Sequence, residues 1–143
     1  MTVAAILATR DWDVVTVPVG TPVTEAVKLL AEKRIGAVPV LDRDGRVVGI
    51  MSERDIIYHL RSDGAAMLEW PVEKVMTSPA VTITREMSVL GALAMITRRR
   101  IRHLPVVEGD RLVGLVSIGD LVKRRMDGIE QEAAAMREYI QSA

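Results

Sequence analysis

The chain has 143 residues, 49% of them hydrophobic but only 3% aromatic, with no Phe and no Cys. Its 19 Lys and Arg balance its 19 Asp and Glu, which argues against a protein that coats nucleic acid by bulk charge. Without Cys there is neither a disulfide framework nor a thiolate metal site, and no apolar run reaches the ~18 residues of a membrane span; the expectation is a cytoplasmic domain with an aliphatic core.

Residues 1–12 form an N-terminal segment. Met1 to Thr9 is mildly apolar but lacks the basic start and cleavage site of a leader, so it is read as part of the fold. Trp12 and, later, Trp70 are read as packing residues. Val14 to Val17 is a short β-branched run closed by Pro18, which predicts a strand. Thr21-Pro22 then predicts a helix start, with Thr as cap and Pro at the first helical position. Val23, Ala26, Val27 and Leu30 recur at helical spacing, ending near Gly36. Two strands follow, Ala37 to Leu41 and Arg46 to Met51, joined by the turn signal Arg43-Asp44-Gly45. A second helix starts at Ser52. Residues 62–78 read as a linker.

The same order then returns. Pro39-Val40 and Pro105-Val106 stand 66 positions apart, as do Arg34-Ile35 and Arg100-Ile101. Beyond the hairpin turn the offset is 65: Gly49 matches Gly114, Ser52 matches Ser117, and Asp55 matches Asp120. One deletion inside a turn is where a repeat tolerates it. The second copy gives a strand at Val81 to Ile83. A helix capped by Ser88 carries Val89, Ala92, Leu93 and Ile96. Strands at Leu104 to Val107 and Arg111 to Val116 follow, then a helix from Ser117. The repeats are placed at 13–61 and 79–125, each β-α-β-β-α. The remaining 126–143 extends the last helix, with Val122, Met126, Ile129, Ala133, Met136 and Ile140 spaced 4, 3, 4, 3, 4. Such a stripe suits either packing back on the domain or a dimer contact.

Ser52-x-x-Asp55 opens a helix, where free backbone N–H groups and the helix dipole favour an anion. The Ser hydroxyl can bond a phosphate and the Asp can accept from ribose hydroxyls. The same pattern is close to a capping box that needs no ligand. Arg54 offers a planar fork of donors for phosphate, or lies solvated on the helix; its counterpart is Gly119. Arg98, Arg99 and Arg100 suit a helix C-terminus, where cations offset the dipole. His59 lacks the neighbours a metal site requires.

Two copies of Gly-hydrophobic-hydrophobic-Ser-x-x-Asp (Gly49 to Asp55, Gly114 to Asp120), each after a hydrophobic-Pro-Val strand, together resemble the CBS-domain family, over roughly Asp13 to Arg125. Val75-Met76-Thr77 is similar to the segment that introduces a second repeat. The resemblance implies an α/β (α+β) fold of tandem CBS repeats packed with pseudo-two-fold symmetry, plus the long C-terminal helix. It implies a stand-alone, non-catalytic regulatory module. Such modules bind AMP, ATP, NAD(H) or S-adenosylmethionine in clefts between repeats, and AMP is the leading expectation here. Ser52, Arg54, Arg102 and His103 would hold phosphate and Asp55 the ribose. By resemblance the adenine slot is Val15, Thr16, Val17, Ala37, Val38 and Pro39. A second, poorer cleft would comprise Val81, Thr82, Leu104, Pro105, Ser117 and Asp120. The implied partners are the nucleotide, a second copy of the chain and an unidentified downstream protein, with no nucleic acid, membrane, metal or catalytic cofactor. A ligand-independent dimeric assembly protein is the alternative.

Overall fold

The computed structural model describes residues 1–11 and 13–142, so the packing expected of Trp12 lies outside the described residues. The chain opens with a short helix, α1 (Val3–Leu7), whose Val3 and Ile6 are buried. The first expected strand shrinks to β1 (Val17–Pro18). Helix α2 (Val23–Lys33) buries Val23, Ala26 and Leu30. Thr21 does not cap it: Pro22 occupies the N-cap in extended conformation, and the Thr21 hydroxyl donates to Pro18 O instead (2.7 Å). The helix stops at Lys33, three residues before Gly36, and is closed by Arg34, which takes the left-handed conformation (φ 54°).

Strands β2 (Ala37–Leu41) and β3 (Val47–Ser52) form an antiparallel hairpin with a register shift at Val40/Leu41. Strand β1 adds in parallel on the far side of β2, giving the order β1-β2-β3. Helix α3 (Glu53–Asp63) follows directly. The second half repeats the plan with α4 (Val89–Arg99), β4 (His103–Glu108), β5 (Arg111–Ser117) and α5 (Ile118–Ser142). Ser88 caps α4 as expected, accepting from the Gly91 N–H at 2.9 Å, and α4 ends on a left-handed arginine, Arg100 (φ 53°). The strand expected at Val81 to Ile83 reduces to one parallel bridge, Ile83 to Val106.

Two aliphatic cores result, and each borrows from outside its repeat. The first combines residues of α2, β2 and β3 with Met67, Val72 and Val75. These three come from the 62–78 stretch, which forms two 3-10 turns, Gly64–Glu69 and Val72–Lys74. Trp70 packs against this core. The second core joins α4, β4, β5 and Leu121 to Val3 and Ile6, with Leu7 alongside. Thus α1 completes the second half, and the segment between the repeats completes the first. Close approach requires glycine at two matched places. A Cβ on Gly49 would lie 2.6 Å from Met76 Sδ and 2.8 Å from Thr77 O, and one on Gly114 would lie 2.8 Å from Leu7 Cδ1.

Candidate functional site

Helix α3 begins with a complete capping box. The Ser52 N–H donates to Asp55 Oδ2 (2.9 Å), and the Asp55 N–H donates to Ser52 Oγ (3.4 Å). The other oxygen, Asp55 Oδ1, accepts from the Thr77 hydroxyl (2.9 Å). Thr77 is held there by a strap that pairs with β3: the Ile50 N–H donates to Thr77 O (3.0 Å) and the Thr77 N–H to Ile50 O (2.9 Å). The carboxylate expected to meet a ribose is therefore presented by internal donors at the rim of a cleft.

That cleft has a volume of about 400 Å³, within the size range of small-molecule sites. Ser52, Glu53, Arg54 and Asp55 line one side; Arg102 and His103, from the start of β4, line the other, and Gly36 and Ala37 form part of the wall. Ile50, Ile57, Val81 and Ile101 supply apolar surface. The five expected polar residues of the first site thus meet around one cavity. Arg54 is not simply solvated: its Nη1 donates to Arg100 O (2.6 Å), across the cleft, at the C-terminus of α4. His103 packs over Gly36, where a Cβ would lie 3.1 Å from His103 Cε1 and 2.7 Å from Glu53 Oε1. Burial pushes the His103 imidazole below its ordinary 6.5 and Arg102 adds to this, while Glu53 and Asp120 pull it back up.

Of the six residues expected to form the adenine slot, Ala37 alone lines this cavity. Val17 and Val38 are buried in the first core, and Val15 packs against it. Pro39 is buried within β2, and Thr16 lines a separate cavity with Asp13, Asp44 and Arg111. The reason is topological. Strand β1 flanks β2 on the side away from β3, whereas the strap at Thr77 runs beside β3. The leader of the second repeat therefore faces the first cleft, which is why Val81 lines it. Leu104 is fully buried in the second core, Pro105 is buried beside it and Thr82 is exposed.

Around the second motif, the Ser117 N–H donates to Asp120 Oδ2 (2.7 Å) and the Asp120 N–H to Ser117 Oγ (3.1 Å). Here Arg10 makes counterparts of the two bonds that Thr77 donates in the first half. It pairs with Asp120 (Nη2–Oδ2, 2.5 Å) and donates through Nη1 to Leu115 O, the counterpart of Ile50 O. Burial opposes charge on Asp120, yet the Ser117 N–H and the Arg10 guanidinium together hold its carboxyl below the ordinary 3.8. Sequence reasoning missed Glu53, Thr77, Ile101 and Arg10. The repeat offset applied to Thr77 lands on Asp11, next to Arg10, and would have flagged the latter. Among the described residues no cluster suited to a metal ion occurs, and no helix is long and apolar enough to cross a membrane.

Comparison with known proteins gives a match to the CBS domain at residues 3–62 and 72–127. The chain is 40% identical to the CBS-domain containing protein ATU1752 from Agrobacterium tumefaciens, covering 87% of this chain and 92% of that one at a TM-score of 0.82. It is 25% identical to CBSX2 solved in complex with AMP (TM-score 0.74, 88% and 96% covered). It is 26% identical to the CBS domain pair of MJ0100 in complex with 5'-methylthioadenosine and S-adenosyl-L-methionine (TM-score 0.77, 90% and 97% covered). Among curated relatives it is 36% identical over 73% of its length to a 17.7 kDa protein of Acidianus ambivalens, and it spans 63% of that protein.

Proposed function

The chain belongs to the CBS domain family, and on that premise we propose that it is a regulatory module that binds an adenine nucleotide, AMP foremost, in the first cleft and relays the bound state to a partner protein. The observation that carries this reading is the meeting of Arg102 and His103, from the second repeat, with the Ser52–Asp55 helix start of the first, around one cavity. The ligands in the CBSX2 and MJ0100 structures support the adenine class.

In this reading the phosphate sits at the N-terminus of α3, where backbone donors and the dipole favour an anion, with Ser52, Arg54, Arg102 and His103 around it. Asp55 accepts from the ribose in place of Thr77. The base lies against Ile50, Ile57, Val81 and Ile101, with Ala37 at its edge. The residues come from both repeats, so a ligand favours the arrangement in which they converge; only that difference in affinity can shift an equilibrium. Arg54 would then exchange Arg100 O for phosphate and release one tie between the repeats. The second cleft, where Arg10 already satisfies Asp120, is proposed to take no nucleotide in the resting protein. Self-association into a homodimer and a cytoplasmic setting, where free nucleotide is plentiful, complete the proposal, and no catalytic group is assigned.

The test is a thermal-shift and calorimetric panel with AMP, ATP, NAD(H) and S-adenosylmethionine. A ligand at 100 times its Kd stabilises the fold by about 2.7 kcal/mol; Asp55→Ala should lower the ligand-free melting temperature, since Asp55 closes the capping box and holds Thr77, and should abolish the ligand's gain measured against that new baseline. No response to any of the four at millimolar concentration would overturn the proposal.

A further inference from the structure

Helix α5 has two unlike faces. Leu121 is fully buried, and Gly128 is pressed against the N-terminus, where a Cβ would lie 2.6 Å from Met1 Cε. On the other side Val122, Met126, Ile129, Met136 and Ile140 are 41% to 66% exposed, so the stripe does not pack back on its own domain. Its spacing places Val122, Ile129 and Met136 at the d positions of a heptad and Met126, Ala133 and Ile140 at the a positions, over a rise of about 27 Å.

We propose that this face pairs with α5 of a second copy of the chain as a parallel two-stranded coiled coil; the inference rests on the self-association proposed above and specifies its surface and orientation. Charge decides the orientation. The residues flanking the stripe are Arg125 and Glu132 at g, and Lys123, Glu130 and Arg137 at e. In a parallel pair each g position faces the e position five residues on in its partner. Arg125 then meets Glu130 of the second copy and Glu132 meets Arg137 of the second copy, each contact twice by symmetry. In the antiparallel register that stacks the same apolar residues, g faces g and e faces e. Glu130 then meets Glu130 of the second copy, Glu132 meets Glu132, and Lys123 meets Arg137. All of these are repulsive.

The full chain has no Cys, so single cysteines report orientation cleanly. Under mild oxidation Met136→Cys should link nearly all of the protein as a dimer, whereas Gln131→Cys, on the outer face, should not. In the antiparallel register two copies of residue 136 are about 15 Å apart, beyond disulfide reach. Arg137→Glu should weaken the dimer about tenfold, and adding Glu132→Arg should restore it. Sedimentation of the unmodified chain separates the failures. A monomer overturns self-association and this inference together. A dimer that Met136→Cys does not link, or that Arg137→Glu leaves unchanged, overturns the parallel coil alone.

Discussion

His103 stands where the two repeats touch, close to Glu53 of the first and within the field of Asp120 of the second. In the ligand-free fold its imidazole titrates below 6.5, chiefly through burial. The unfolded chain therefore takes up the proton first, and this group's contribution to stability is full above 6.5 and is lost as pH falls from there through the lower value of the folded ring. A phosphate beside it reverses the preference, because the anion favours the protonated ring. Nucleotide affinity should then rise severalfold from about pH 8 to about pH 6, within the tenfold per unit that one proton allows; calorimetry on His103→Gln should show a flat profile. Arg10 makes a second prediction at this scale. With Arg10→Ala, Asp120 loses its guanidinium and the second cleft gains a free carboxylate acceptor. Binding stoichiometry should move from one nucleotide per chain toward two, and an unchanged value of one would show that the second cleft is closed by something other than Arg10.

At the scale of elements, the stretch between the repeats is less of a tether than its Gly and Pro content suggests. Met67 and Val72 are fully buried in the first core. Met67→Ala should cost about 2–5 kcal/mol, the range for a large buried side chain, measurable by urea denaturation; a loss under 1 kcal/mol would show that this turn is dispensable. The repeated elements were legible in the residues. Helical spacing placed α2 and α4, the paired Pro-Val runs placed β2 and β4, and Ser52 and Ser88 marked two helix starts. What pairs across segments was not. Thr77 was read as an introduction to the second repeat, yet its side chain and backbone serve the first. Val81, expected in the second cleft, lines the first for the same reason, since an offset between copies says nothing about which copy a leader crosses to. Strand β1 and its counterpart at Ile83 are shorter than the residues suggest, because a β-branched run predicts extension and not the length of a ladder. The polar side of the first cleft was easier to read than the apolar side, as helix caps and charges declare themselves locally and an apolar slot forms only on assembly.

Across the whole molecule, the exchange of leaders makes the repeats interdependent. The first core draws all its buried residues from the contiguous stretch 17–75, whereas the second needs Val3 and Ile6 as well as residues from Ile83 to Leu121. Deleting residues 1–9 should strip the second core of two buried aliphatic side chains, a loss of roughly 3–6 kcal/mol at about 1.5–3 each. Hydrogen exchange should then show protection lost first in α4 and β5, and retained longer in α2 and β2; uniform loss across both halves would mean that the two cores melt as one.

The crossing of α1 also has a consequence in time. A chain is made from its N-terminus, so Val3, Ile6 and Leu7 are delivered well before the strands and helices that cover them, and Leu7 settles over Gly114 only after that residue has left the ribosome. The first core can close once Val75 has emerged, while the short helix waits with its apolar side uncovered. Synthesis of this protein thus includes an interval in which one half is finished and the other half's missing piece is already present and unprotected.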